Sequence, residues 1–154
     1  MMKKILAIAI VILTCTAINA QSDYERSIGL RLGFDNGITY KQFITSISAI
    51  EALAYFGNNS FNFTGLYEIN NENAFQVDRL DWYYGGGGHI GFRNSNFEGD
   101  NGSFILGVDG IIGIEYNLEN APINVSLDWK PQVNIIGGNG FVGDTGALSV
   151  RYIF

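Results

Sequence analysis

Cysteine is almost missing from this sequence: there is one in 154 residues, Cys15. It falls inside the first twenty residues, which read as a secretory signal, so the mature chain is expected to have neither thiol nor disulfide chemistry. Basic residues are scarce, with 9 Lys and Arg against 15 Asp and Glu and a single histidine. Loss of Lys3 and Lys4 with the signal would leave seven basic residues against fifteen acidic ones, a net charge of −8. Nucleic-acid binding needs a basic face, so that class is excluded. Proline is nearly absent, 2 in the whole chain. Long apolar runs are missing as well. Residues 5–13 are too short for a membrane-crossing helix, which needs about 20 apolar residues, and no later segment is continuously apolar over that length.

The first twenty residues carry the features of an export signal. Lys3 and Lys4 form a basic start, residues 5–13 form the apolar stretch, and Ala20 is a small residue at a plausible cleavage point. Thr14 precedes Cys15, where a lipid-modified cysteine would follow Gly, Ala or Ser, so lipidation is the minor reading. The remainder, residues 21–154, is expected to form one domain.

What the chain does have is glycine and aromatic residues: 20 Gly, 11 Phe, 8 Tyr and 2 Trp. Apolar residues recur with period 2, the mark of a strand with two unlike faces. Ile28, Leu30, Leu32 and Phe34 alternate with Gly29, Arg31 and Gly33, and Asp35-Asn36-Gly37 then signals a hairpin. Further alternating runs start near Ile38, Ile50, Phe61, Trp82, Phe104, Ile123 and Leu148. The seventh is read as one strand, with Pro131 near its outer end or at a bulge, because proline cannot donate to a strand ladder. Eight strands return both ends to the same side, as an up-and-down barrel requires.

Alternation alone fits a soluble barrel equally well. Three features favour a transmembrane barrel instead. The polar face is rich in glycine, at 29, 33, 85, 87, 91, 107 and 113, which relieves crowding in a narrow lumen. The aromatics sort into two belts: Tyr67, Trp82, Tyr84, Tyr116, Tyr152 and Phe154 at one rim, and Phe34, Phe61, Phe92 and Phe104 at the other. The chain also ends on a strand and an aromatic residue. Residues 148–154 (LSVRYIF) resemble the C-terminal signature of outer-membrane barrels, and with the strand count the chain resembles the OmpA/OmpX-type eight-stranded barrels. That resemblance implies an integral outer-membrane protein of a Gram-negative bacterium. Its partners would be outer-membrane lipid and, through the last strand, the barrel-assembly machinery.

The polar face supplies the candidate site. Arg31, Lys41, Arg93, Lys130 and Arg151 share it with Glu51, Glu68, Asp109, Glu115 and Asp128, and with His89. An eight-stranded barrel is only wide enough inside for side chains. Charges held there must pair, since an unpaired buried ion costs several kcal/mol. The expected result is a charge-paired, plugged lumen.

Two other patterns are weighed against bland readings. Residues 86–91 match G-x-G-x-x-G with Asp109 about 20 residues on, as in a dinucleotide fingerprint. The fingerprint needs a helix after the glycines, and a strand pattern follows here, so the glycines are read as wall-thinning. His89, with Glu68 or Asp109 and a hydroxyl such as Ser126, could form an acyl-transfer site. Lipid-modifying enzymes of that kind need an apolar lumen, and this one is charged, so His89 is read as part of the interior network. No cofactor or metal site is expected. The functional expectation is a non-enzymatic envelope or surface-interaction barrel acting through loops at 57–60, 94–103 and 137–144. The alternatives are a lipid A-modifying enzyme using His89, or a narrow pore.

Overall fold

The computed structural model describes residues 26–34, 36–57, 60–72, 76–93, 103–137, 140–143 and 145–154. The signal segment, most of the 94–103 loop, and residues 35, 58, 59, 138, 139 and 144 of the expected turns lie outside the described residues. The strands are β1 (Arg26–Gly33), β2 (Gly37–Phe43), β3 (Ser48–Phe56), β4 (Ser60–Asn71), β5 (Leu80–Arg93), β6 (Ser103–Asn117), β7 (Ile123–Trp129), β8 (Gln132–Ile136), β9 (Phe141–Val142) and β10 (Gly146–Ile153).

Successive strands pair antiparallel, and the sheet closes on itself. β10 returns to β1 through seven residue pairs, from Ser27↔Ile153 to Gly33↔Ala147. Closure satisfies the backbone groups that an open edge would leave unpaired. The ten ladder segments make eight wall strands. β7 and β8 both pair with β6, and β10 and β9 pair with β7 and β8 respectively. The seventh and eighth wall strands are therefore each interrupted once.

The interruption has a local cause in Pro131, which has no N–H for the ladder. Its carbonyl still accepts from Gly110 N at 2.9 Å. The neighbouring strand is tied across the break by side chains: Trp129 Nε1 donates to Gly143 O at 2.5 Å, and Thr145 Oγ1 donates to Lys130 O. Two expectations are corrected here. The seventh strand is broken at 130–131, not continuous. The loop expected at 137–144 contains β9, and Gly137 turns the chain with φ +62, where a Cβ would lie 2.1 Å from Phe104 O.

Burial is inverted relative to a water-soluble barrel. Outward positions are apolar and exposed, for example Leu30 at 61%, Leu127 at 57% and Ile135 at 66%. From Ile28 onward, no outward strand position among the described residues is Asp, Glu, Lys or Arg. Inward positions are polar or charged and closed off. Arg151, Lys41, Glu51 and Glu68 have no exposed surface. A small inward apolar cluster of Leu53, Tyr55, Leu66, Tyr83 and Ile111 fills the space between charged groups.

Wall height is uneven. β2 has 7 residues and β6 has 15, so the β4–β6 side is the taller. The rim holding Arg26 and Phe154 is called the lower rim; the turns at 44–47 and 118–122 and the described residues 72 and 76–79 share it. The aromatics expected to form belts are all exposed. Tyr67, Trp82, Tyr84, Tyr116, Tyr152 and Phe154 lie toward the lower rim, and Phe34, Phe61, Phe92 and Phe104 toward the upper. Trp82 stacks on Tyr84 with centroids 5.3 Å apart, and Phe92 meets Phe104 across two strands at 5.5 Å.

Candidate functional site

The candidate site is the lumen, where strand parity delivers charged side chains from opposite walls to the same level. Arg151 on β10 is its busiest member. Its guanidinium donates to Glu51 Oε1 on β3 at 2.5 Å, and to Asn124 Oδ1 and Ser126 Oγ on β7, both at 2.9 Å. Its Nε reaches Thr39 Oγ1 on β2 at 3.2 Å, and Glu115 on β6 lies 3.7 Å away. One side chain thus ties its own strand to four others. Arginine suits the position because its planar fork offers five donors in fixed directions.

Lys41 on β2 holds the next level. Its ammonium contacts Glu68 at 3.0 Å, Glu115 at 3.0 Å and Asn70 Oδ1 at 2.9 Å, and lies 4.3 Å from the centroid of the Tyr83 ring. Burial makes these contacts obligatory, since an ammonium stripped of water needs replacement acceptors. Toward the upper rim, Arg31 on β1 grips Asp128 on β7 through two parallel bonds of 2.6 and 2.5 Å, and Tyr83 Oη donates to the same carboxylate at 3.2 Å. Lys130, at the strand break, donates to Asp109 Oδ1 at 2.6 Å and to Gln132 Oε1 at 3.2 Å.

His89 completes the upper group. Its Nδ1 lies 2.7 Å from Asp109 Oδ2 and its Nε2 lies 2.8 Å from Asn134 Oδ1. Space for the ring comes from β6, where Gly107 is directly opposite: a Cβ there would fall 2.4 Å from the His89 ring. Gly113 does the same for Tyr83, with a would-be Cβ 2.7 Å from that ring. Each large inward ring of β5 therefore lies over a glycine of β6.

The structure brings ten of the eleven expected charged residues into the lumen, each at most 6% exposed. Arg93 is the exception. It ends β5, level with Ser60 and Ser103 on the tall side, and is exposed. Parity assigned it to the correct face, but it stands above the packed zone. The fully buried part of the described lumen accordingly holds four fixed cations, five carboxylates and His89, with Asp81 half-buried on the inner face of β5 opposite Glu115.

Of the acyl-transfer grouping, His89 and Asp109 meet, whereas Glu68 and Ser126 are engaged elsewhere. Register sets His89 beside Thr64, Glu68 is held by Lys41, and Ser126 is held by Arg151. The glycine motif at 86–91 lies wholly inside β5, and the described residues that directly follow it, Phe92 and Arg93, continue the strand. Among the described residues, no group of three or more His, Cys, Asp and Glu is placed to hold a metal. A recess of about 10 Å³ between Arg31, Tyr55, Lys130 and Thr145 has room for about one water molecule.

Sequence reasoning passed over several interior residues. Tyr83 and Tyr55 touch the network, and Thr39, Asn70 and Asn124 supply its neutral partners. All share parity with a charged neighbour, such as Thr39 with Lys41 and Tyr55 with Glu51. Counting every inward position, charged or not, would have found them.

No family model matches the chain, and no curated protein matches its sequence. Among solved structures, it is similar to the N-terminal β-barrel domain of Pseudomonas aeruginosa OprF, with a TM-score of 0.67 at 13% identity. The match covers 87% of this chain and 100% of that one. The chain therefore has the fold of a small, closed, eight-stranded antiparallel barrel of the OmpA type.

Proposed function

We propose that the mature chain is an integral outer-membrane barrel with a plugged lumen, acting without catalysis as envelope structure or as a surface-interaction protein. The observation that carries this reading is the inversion of burial. Apolar side chains cover the outside, while Arg31, Lys41, Arg151 and their carboxylates are sealed within. In water such a surface would drive aggregation; in a bilayer the same surface is the stable one. The likeness of the fold to an outer-membrane barrel domain supports the location. On this reading residues 1–20 direct export, the 148–154 strand is presented to the assembly machinery, and the loops at 57–60, 94–103 and 137–144 form the contact surface.

The Arg31–Asp128, Lys41–Glu68, Lys41–Glu115 and Arg151–Glu51 pairs cross the lumen between strands that are not neighbours, which supports a plug. A catalytic reading of His89 would rest on its contact with Asp109. Against it stand Nε2, already turned to Asn134, and the absence of a hydroxyl bonded to the ring among the described residues. The test is fractionation followed by electrical recording. The protein is expected in the outer-membrane fraction, running faster on a gel unboiled than boiled, and passing little current in a planar bilayer. Recovery as a soluble protein, or a steady large conductance, would reject the proposal. Loss of a lipid A modification in a folded His89→Ala variant would establish the catalytic reading instead.

A further inference from the structure

The lumen charges do not cancel level by level. The upper group balances, with Arg31 on Asp128 and Lys130 on Asp109. The lower group does not. Among the described residues, Lys41 and Arg151 face Glu51, Glu68 and Glu115, two fixed cations against three carboxyl groups, all at most 1% exposed. Such a group sealed from water cannot keep a surplus charge cheaply.

The location of the surplus is visible in the hydrogen bonding. Arg151 and Thr39 both bond Glu51 Oε1, while Glu51 Oε2 has no hydrogen-bond partner among the described residues. Glu68 meets the Lys41 ammonium through Oε2, and its Oε1 has no hydrogen-bond partner among the described residues. The register partners of Glu68, Ala49 on β3 and Gly85 on β5, have no side-chain donor to offer it. Glu51 and Glu68 are diagonal neighbours on the inner face, since Glu51 lies opposite Leu66, two residues from Glu68, and side chains so placed are within reach of each other. Two carboxylates have no hydrogen to share, whereas one carboxylate and one carboxylic acid do.

We propose that the lower lumen is a proton-binding site, in which Glu51 and Glu68 share one proton that neutralises the surplus charge. The proton supplies the missing donor between the two carboxyl groups and leaves each remaining carboxylate matched by one cation. The other titratable groups facing the pair are Lys41 from β2, Tyr83 from β5, Glu115 from β6 and Arg151 from β10. The inference rests on the packed lumen and not on any role for the loops, so it stands apart from the contact function proposed above.

Infrared spectroscopy of the full chain in lipid vesicles at neutral pH tests it, because the C=O stretch of a carboxylic acid is separated from that of ionised carboxylates. The expected result is one acid band per molecule, which moves when glutamate is carbon-13 labelled and not when aspartate is. The band should vanish in Glu68→Gln, a variant that removes the surplus and should still fold. If that variant fails to fold, the labelled unmutated chain decides alone. Absence of the band, its response to labelled aspartate, or its persistence in folded Glu68→Gln would overturn the proposal.

Discussion

Arg151 and Arg93 are the same residue type on the same face of the wall, yet they differ in what surrounds them. Arg151 has no exposed surface and binds groups on four other strands, while Arg93 is solvent-facing at the end of β5. Removing a partner from a buried ion pair leaves an uncompensated charge and costs about 3–5 kcal/mol. Arg151→Ala should therefore lower the urea-unfolding free energy in lipid vesicles by about that much, whereas Arg93→Ala should stay within about 0.5 kcal/mol, as surface changes usually do. The glycines separate in the same way. Gly107→Ala and Gly113→Ala would press a methyl against the His89 and Tyr83 rings and should cost about 1–3 kcal/mol. Gly65 points outward with nothing within 4 Å of a would-be Cβ, so Gly65→Ala should be neutral or mildly stabilising in the same unfolding measurement.

At the level of the strand, parity carried most of the information the sequence held. It assigned Glu51, Glu68, Asp109 and Asp128 to the inside and Leu30, Leu106 and Leu127 to the outside, because a period-2 repeat leaves only two faces to choose between. Height and cross-lumen pairing were not legible. Arg93 was counted inside because nothing in its strand says that β5 outgrows the packed zone. The partnership of Lys41 with Glu115 depends on barrel stagger, which arises only on closure. Pro131 announced a disturbance, but whether it would end a strand or bulge one depended on Trp129 and Thr145 bridging to β10's side of the break. Parity makes its own forecast for the outer face. Leu127→Arg, at mid-wall and 57% exposed, should cost about 2–4 kcal/mol in vesicle unfolding if that face meets lipid. A negligible cost would mean that the face meets water.

For the molecule as a whole, the ladder and the lumen close the same cylinder from two sides. The ladder joins each strand to its neighbours through to β10 on β1. The ion pairs join strands across the middle, β1 to β7, β2 to β4 and β6, and β10 to β3. A wall braced across its diameter has little freedom to widen into a channel, which is why low conductance is expected of it. The central claim is that this cylinder stands in lipid with its charges sealed inside, and adjacent positions of opposite parity test it most directly. Cys15 is the chain's sole cysteine, so the region beyond it is free of thiols that would interfere. Single cysteines at Leu148 and Ser149 on β10, one 43% exposed and the other fully buried, would be challenged in membranes with lipid-soluble and water-soluble thiol reagents. The account predicts that cysteine at 148 reacts with the lipid-soluble reagent alone and that cysteine at 149 reacts with neither. Ready reaction of position 148 with the water-soluble reagent would contradict it.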